Sequence, residues 1–382
     1  MIRKCFSSDL FARRRRSSGT RRELAEDAGH FLYLDFLRGC AAISVVWLHW
    51  FVGNGKTAFG MAATAVDFFF LLSGFVIAHA SDGRINAPGG RTDFLLRRAI
   101  RLWPVILVGA TLGLLRAAAR AVAEHRGLDG LLAEFVRTVL LVPPLSGDLF
   151  PLNLVYWSLM FEVIGYVVYC TLLTRRFGNV ACVLLMLAGA VGLHAWAADM
   201  VAAPHVGVPV KLADGASRVA FAFPAGVLLA RLLRGKAYRI DSAALRAGLA
   251  IVCLGIFALP SALTNATAVF LIVAGLFPAI IVVGRGLACE GAWAVAARWF
   301  GELSYPLYAI HMPTMWVVGF VLKKLFPGLG LAAGLPVFAV CMAAAAATLV
   351  YVDRPVRRLL GRKRAAFMHT RGPARRLRAS AT

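Results

Sequence analysis

Ten apolar runs recur between residues 31 and 351, at about 31–51, 59–80, 104–121, 152–173, 180–198, 218–233, 246–260, 265–283, 303–322 and 330–351. A helix needs about 20 apolar residues to cross a hydrocarbon core of ~30 Å, so the runs predict successive membrane crossings. The runs 218–233 and 246–260 sit at the short limit. The stretch 128–145 is apolar in its middle but polar at its ends, and is expected to be an external or re-entrant piece. A chain that is 60% hydrophobic exceeds the roughly half expected of a soluble domain. The expected fold class is therefore all-α: a polytopic integral membrane bundle of about ten transmembrane helices.

The net charge of +23 could suggest a nucleic-acid partner, but its placement argues otherwise. RRRR at 13–16 and RRLLGRKR at 357–364 lie beside apolar runs, where basic residues set topology and touch anionic lipid. No soluble fold or aromatic-basic platform accompanies them, which excludes nucleic acid. With the N-terminus inside, the inner segments hold 32 Lys and Arg and the outer ones 9, the latter including Lys211 and Arg218. That asymmetry predicts N- and C-termini both cytoplasmic. The expected organisation is a basic cytoplasmic tail over 1–30, one transmembrane domain over 31–353, and a second basic tail over 354–382, both tails mobile. The charged opening has no A-x-A site, so no cleaved leader is expected. Seven scattered cysteines without a C-x-x-C pair predict packing residues rather than disulfides or a thiolate site.

Against this apolar background the ionisable residues stand out, because a charge inside a bilayer is costly and usually faces a cavity or a partner. LDFLRGCAAISVVWLH, 34–49, carries Asp35, Arg38 and His49. Arg38 and His49 are eleven positions apart, which on a helix is ~1100° of rotation and ~16.5 Å of rise, so they share one face. Asp35 is spaced to pair with Arg38. VDFFFLLSGFVI, 66–77, carries Asp67, which would be expensive unpaired and is placed to meet Arg38 or to orient His49. Ser73-Gly74 reads first as a helix-packing notch. In RRAIRLWP, 97–104, Arg98 and Arg101 share a face, and Trp103-Pro104 marks an interfacial aromatic and a helix start. The pair reads either as topology-setting charge or as a guanidinium site for a phosphate-bearing molecule. WSLMFE, 157–162, brings Trp157 and Glu162, and LSYPLYAIHMP, 303–313, brings His311. A histidine in a span is read equally as a packing residue. No H-x-x-x-H or carboxylate-rich ligand set appears, so no metal is expected, and there is no Walker, G-x-G-x-x-G or G-x-S-x-G motif. Residue types alone suit acyl or phosphoryl transfer to a hydroxyl, and equally suit proton-coupled transport of a glycan or lipid.

Five of these segments and the closing VDRPVRR, 352–358, in order and at matching spacing, resemble acyltransferase family 3, the multi-span membrane O-acyltransferases. They are LDFLRGCAAISVVWLH, VDFFFLLSGFVI, RRAIRLWP, WSLMFE, LSYPLYAIHMP and VDRPVRR, running from Leu34 to Arg358. The resemblance implies ten core spans in the inner (plasma) membrane and no bound cofactor. It also implies transfer of an acyl group, usually acetyl, from cytoplasmic acyl-CoA to a hydroxyl of a surface or secreted glycan or its lipid-linked precursor. It makes Arg38 and His49 the essential pair and gives Arg98 and Arg101 to the acyl-CoA end. His49 is then general base or transient acyl carrier, helped by Asp67 or Asp35. Glu162 joins the catalytic set, and Asp35, Ser73, Trp157 and His311 join the substrate-lining set. Phe36, Val163 and Asp353 depart from the family pattern, and Asp353 is left without an assigned role. No hydrolase-like extracytoplasmic domain is expected after residue 354, so the chain would act alone or hand its acyl group to another protein.

Overall fold

A computed structural model describes residues 31–144, 148–202 and 212–379, with side chains as far as residue 368. The basic segment 1–30, with its RRRR run and Cys5, and also Lys211, lie outside the described residues. The helices are α1 (Leu32–Val52), a 3-10 turn (Gly60–Thr64) leading into α2 (Ala65–Ser81), α3 (Gly90–Ala123), α4 (Leu131–Leu140) and α5 (Tyr156–Val168). Then come α6 (Gly178–Ala202), α7 (Leu212–Leu232), α8 (Ala243–Ala258), α9 (Ala266–Leu271) and α10 (Phe277–Gly284). The last are α11 (Gly291–Leu325), α12 (Gly334–Thr348) and α13 (Arg354–Ala379). Single π turns extend α5, join α9 to α10, and join α12 to α13.

Among the described residues nine helical rods are long and apolar enough to cross a membrane, and α8, with 16 residues, is a shorter apolar tenth. The chain is a multi-pass helical membrane bundle, and the ten runs read from the sequence each coincide with one of these rods. The segment around 128–144 holds only α4, whose ten residues are too few to cross.

The packing sorts the rods. In the most apolar 18-residue stretch of each rod, 78% of the residues are buried in the rod ending in α2 but only 28% in α6, which leaves Val183, Leu184, Leu187 and Val191 exposed. An apolar helix surface needs no protein cover where lipid tails meet it, so α6 sits at the rim and α2 inside. α2 packs along α7, α7 along α6, and α1 along α11. Gly74 is the notch at the first of these crossings. A Cβ there would meet the Phe223 carbonyl, so the backbones touch directly.

Two expectations are corrected. Pro104 does not start its helix: α3 begins at Gly90 and runs through it. The stretch from Arg91 to Trp103 has no breaker, and proline is tolerated in a membrane helix where neighbours bond the carbonyls around it. Tyr305 Oη donates to Leu102 O at 2.6 Å and Tyr156 Oη to Ile106 O at 2.8 Å, so α11 and α5 grip the helix on either side of Pro104, although neither carbonyl is the one that Pro104 frees. The basic segment after residue 353 is likewise not a loose tail. It continues the last span as α13, with Arg364 paired to Asp93 of α3.

α11 carries two internal prolines, Pro306 and Pro313. Pro313 has no N–H to give to the carbonyl one turn earlier, Ala309 O, and the buried Asn153 side chain fills that role at 2.7 Å. This stretch presents Ser304, Tyr305, Tyr308 and His311 toward α1, α3 and α5.

Candidate active site

Arg38 anchors one end of the site. Its guanidinium pairs with Asp35 Oδ1 at 2.9 Å, as the three-residue spacing predicts, and donates to Gly301 O at 2.7 Å and Ser304 Oγ at 3.0 Å. α1 and α11 come this close because position 301 has no side chain: a Cβ there would sit 2.6 Å from the Asp35 Cβ. Arg38 still faces open space, lining a cavity of about 180 Å³ on one side and one of about 340 Å³ on the other.

The smaller cavity is lined by charged, hydroxyl and aromatic side chains. Arg98 and Arg101 of α3 both line it, together with Asp35 and Arg38. The Arg98 guanidinium lies 5.5 Å from the Phe94 ring centre and 5.6 Å from that of Tyr166, and its Nε is buried with no hydrogen-bond partner. Arg101 makes no ion pair among the described residues. From α5, Ser158, Glu162 and Tyr166 follow one another at four-residue steps and so share the cavity face. Glu162 Oε1 accepts from Ser73 Oγ at 2.8 Å and from the Tyr166 hydroxyl. Ser73 therefore lines the cavity, while its neighbour Gly74 is the packing notch. At the inner end, Ser158 Oγ and Tyr308 Oη are 2.6 Å apart.

The larger cavity shares Asp35, Arg38, Arg101 and Tyr305 with the smaller one, so the two adjoin across these residues. Its other walls are Arg298, Glu302, Asp353 and Arg357. Asp353, which the sequence left without a role, is 1% exposed, pairs with Arg357 at 2.6 Å, and keeps a buried Oδ1 with no partner. The four-residue step from Asp353 to Arg357 was readable as a helix-face pair; the approach of Arg298 was not.

His49 lies at the other end of α1. Its Nδ1 is 3.0 Å from Val45 O and 3.0 Å from His311 Nε2. His311 is completely buried, and its own Nδ1 is 2.8 Å from Tyr308 O and 3.1 Å from Leu307 O. Neither histidine is among the lining residues of the two cavities. Tyr308 connects them: it lines the smaller cavity and its ring centre is 6.0 Å from that of His311.

Three placements differ from the sequence reading. Asp67 neither meets Arg38 nor orients His49. It is completely buried and held in a two-pronged pair by Arg218 of α7, with Arg218 Nε 3.0 Å from Oδ1 and the other prong 2.7 Å from Oδ2. Arg218, counted as a loop charge, is 2% exposed and lies 3.8 Å from the Trp196 ring centre and 5.2 Å from that of Trp157. Trp157 thus covers that ion pair and lines neither cavity. His311 stands beside His49, as the distance between their ring nitrogens shows.

The model of the family described as "Acyltransferase domain" (acyltransferase family 3) matches residues 31–351. The chain is similar to an exopolysaccharide production protein, ExoZ, of Rhizobium meliloti, with 32% identity over 114 residues, 29% of this chain and 34% of that protein. It is also similar to protein 2 in the picA locus of Rhizobium radiobacter, with 36% identity over 85 residues, 22% of this chain and 43% of that protein. These matches therefore span under half the length of either relative. No solved structure matches the chain. With the family match covering the helices that carry Arg38, His49, Arg98, Arg101, Glu162 and His311, this chain belongs to the membrane acyltransferases of acyltransferase family 3.

Proposed function

We propose that this protein moves an acyl group, acetyl in the first instance, from acyl-CoA at the cytoplasmic face of the plasma membrane to a hydroxyl of a surface or secreted glycan or its lipid-linked precursor. The observation that carries the reading is the convergence of Arg38, Arg98 and Arg101 on one cavity, with the buried Arg98 Nε lacking any partner. Guanidinium forks match phosphate oxygens, and a phosphate-rich donor suits such a cluster better than a neutral solute does. Arg101 faces both cavities, which lets the larger one, with Arg298 and Arg357, take the nucleotide end while the acyl-bearing arm enters the smaller one. The arm then has to travel along α1, where ~16.5 Å of helix separates Arg38 from His49. The name of the R. meliloti relative supports an exopolysaccharide as the acceptor class.

In the transfer step the acceptor oxygen attacks the thioester carbonyl carbon. A C–O bond forms and the C–S bond breaks. His49 takes the hydroxyl proton and returns it to the departing sulfur. Arg38, already fixed by Asp35, Gly301 and Ser304, contributes positive charge toward the donor, and Glu162 holds the Ser73 and Tyr166 hydroxyls at the cavity wall.

The test is purified protein in lipid vesicles with labelled acetyl-CoA and glycan from the producing cells. Alkali-labile label in the glycan, lost in H49A at unchanged protein level, is the expected result. Absence of label with acetyl-CoA and with longer acyl-CoAs, accompanied by uptake of glycan into the vesicles, would replace this reading with transport.

A further inference from the structure

The histidine pair carries a consequence for which atom does the chemistry. A backbone carbonyl only accepts hydrogen bonds. His311 Nδ1 faces two of them, Tyr308 O and Leu307 O, so it carries a hydrogen. A neutral His311 then has a bare Nε2, which accepts. That bare nitrogen and a third carbonyl, Val45 O, both lie 3.0 Å from His49 Nδ1. Two acceptors facing one nitrogen require it to be the donor. In neutral imidazole the other nitrogen is then unprotonated.

We propose that His311 is a positioning residue for His49: together with Val45 O it holds His49 in the Nδ1–H form, leaving Nε2 as the basic atom. This rests on the proposed role of His49 as the base. During transfer the hydroxyl O–H bond breaks and an Nε2–H bond forms on His49. The resulting imidazolium keeps its Nδ1–H on Val45 O and His311 Nε2, and the Nε2 proton then passes to the thiolate sulfur. The place a carboxylate holds in a Ser-His-Asp triad is filled here by a neutral imidazole, itself oriented by carbonyls of α11. Pro313 and the Asn153 bond to Ala309 O lie in the same turns and help set where that imidazole stands.

Two measurements test this on the full chain. The first is the imidazole ¹⁵N spectrum of the histidine-labelled protein, with the His49 signals assigned by their loss in H49A. The expected spectrum has Nδ1 of His49 protonated and Nε2 bare; the reverse overturns the proposal whether or not the preparation is active. The second uses the near-isosteric pair H311M and H311Q in membranes supplied with labelled acetyl-CoA and cell glycan. Methionine offers no adequate acceptor, whereas a glutamine oxygen reaches the place of Nε2. H311M is expected to lower the maximal rate roughly 10- to 100-fold, the effect of losing a hydrogen bond to a charged group, with the acetyl-CoA KM unchanged. H311Q is expected to recover most of that loss. Equal impairment of the two variants, or full activity in H311M, overturns the positioning role. Activity retained in H49A removes the base itself, while the spectrum still reports separately on the pairing.

Discussion

Two arginine–aspartate pairs inside the bundle look alike in composition and differ in use. Arg218 and Asp67 are 2% and 0% exposed as side chains, meet through two prongs, and are stacked against Trp196 and Trp157. Arg38 and Asp35 meet at 2.9 Å, with the arginine side chain 22% exposed and lining two adjoining cavities. The first pair has no face left for a ligand and ties α2 to α7. The second is tied on one side to α11 and open on the other. Inside a membrane a charge marks function only if some of its hydrogen-bonding surface remains unspent.

The largest expected effect comes from breaking the closed pair on one side. Asp67→Ala strands the Arg218 charge and should cost about 3–5 kcal/mol of stability, seen as loss of folded protein in detergent melts. Replacing both partners, Asp67→Leu with Arg218→Met, should restore most of it, and a double variant as unstable as the single would assign Arg218 a further role.

The open pair should behave the opposite way. Arg38→Lys keeps the charge but not the fork, so melts should change little while transfer falls by ~10²-fold, the scale of losing one preorganised donor. A melt shifted as far as that of Asp67→Ala would erase the distinction between the pairs. Next in size, Arg98→Gln or Arg101→Gln should raise the acetyl-CoA KM by roughly 10-fold or more with the maximal rate little affected, because on the proposed reading each removes a charge-assisted contact to the donor alone.

The smallest effect concerns Asp82, just beyond α2. Burial raises its pKa, but bonds from Arg231, Tyr169 and Arg234 win and hold the carboxyl below its ordinary value of 3.8. A group depressed in the folded state stabilises at pH above its unfolded value and loses that contribution as pH falls through the folded one. Acidification below about pH 4 should therefore lower the melting temperature modestly, and Asp82→Asn should flatten that dependence. An unchanged acid limb in that variant would leave Asp82 out of the linkage.

Much of the site was legible along single helices. Asp35 with Arg38, Arg98 with Arg101, and Glu162 as a carboxylate worth placing all follow from helical spacing and the expense of charge in lipid. Pro104 marks no helix start, since a membrane helix continues through proline when its surroundings satisfy the freed backbone. Tyr166, four residues after Glu162, and Arg357, four after Asp353, follow from the same helical spacing.

What the chain alone determined is periodic and local: about ten apolar rods, the face shared by Arg38 and His49, and the face shared by Arg98 and Arg101. What only the tertiary structure decided is partnership. Asp67 found Arg218, 151 positions away, instead of Arg38, and His49 found His311, 262 positions away, instead of a carboxylate. The reason is that helical spacing limits contacts to one rod, about four residues either way, whereas a buried charge or imidazole is satisfied by whichever neighbouring rod presents a complementary atom within 3 Å or so. That choice is made by the crossings of whole helices, here by Gly74 against α7 and Gly301 against α1, where the absence of a side chain sets how closely the backbones meet.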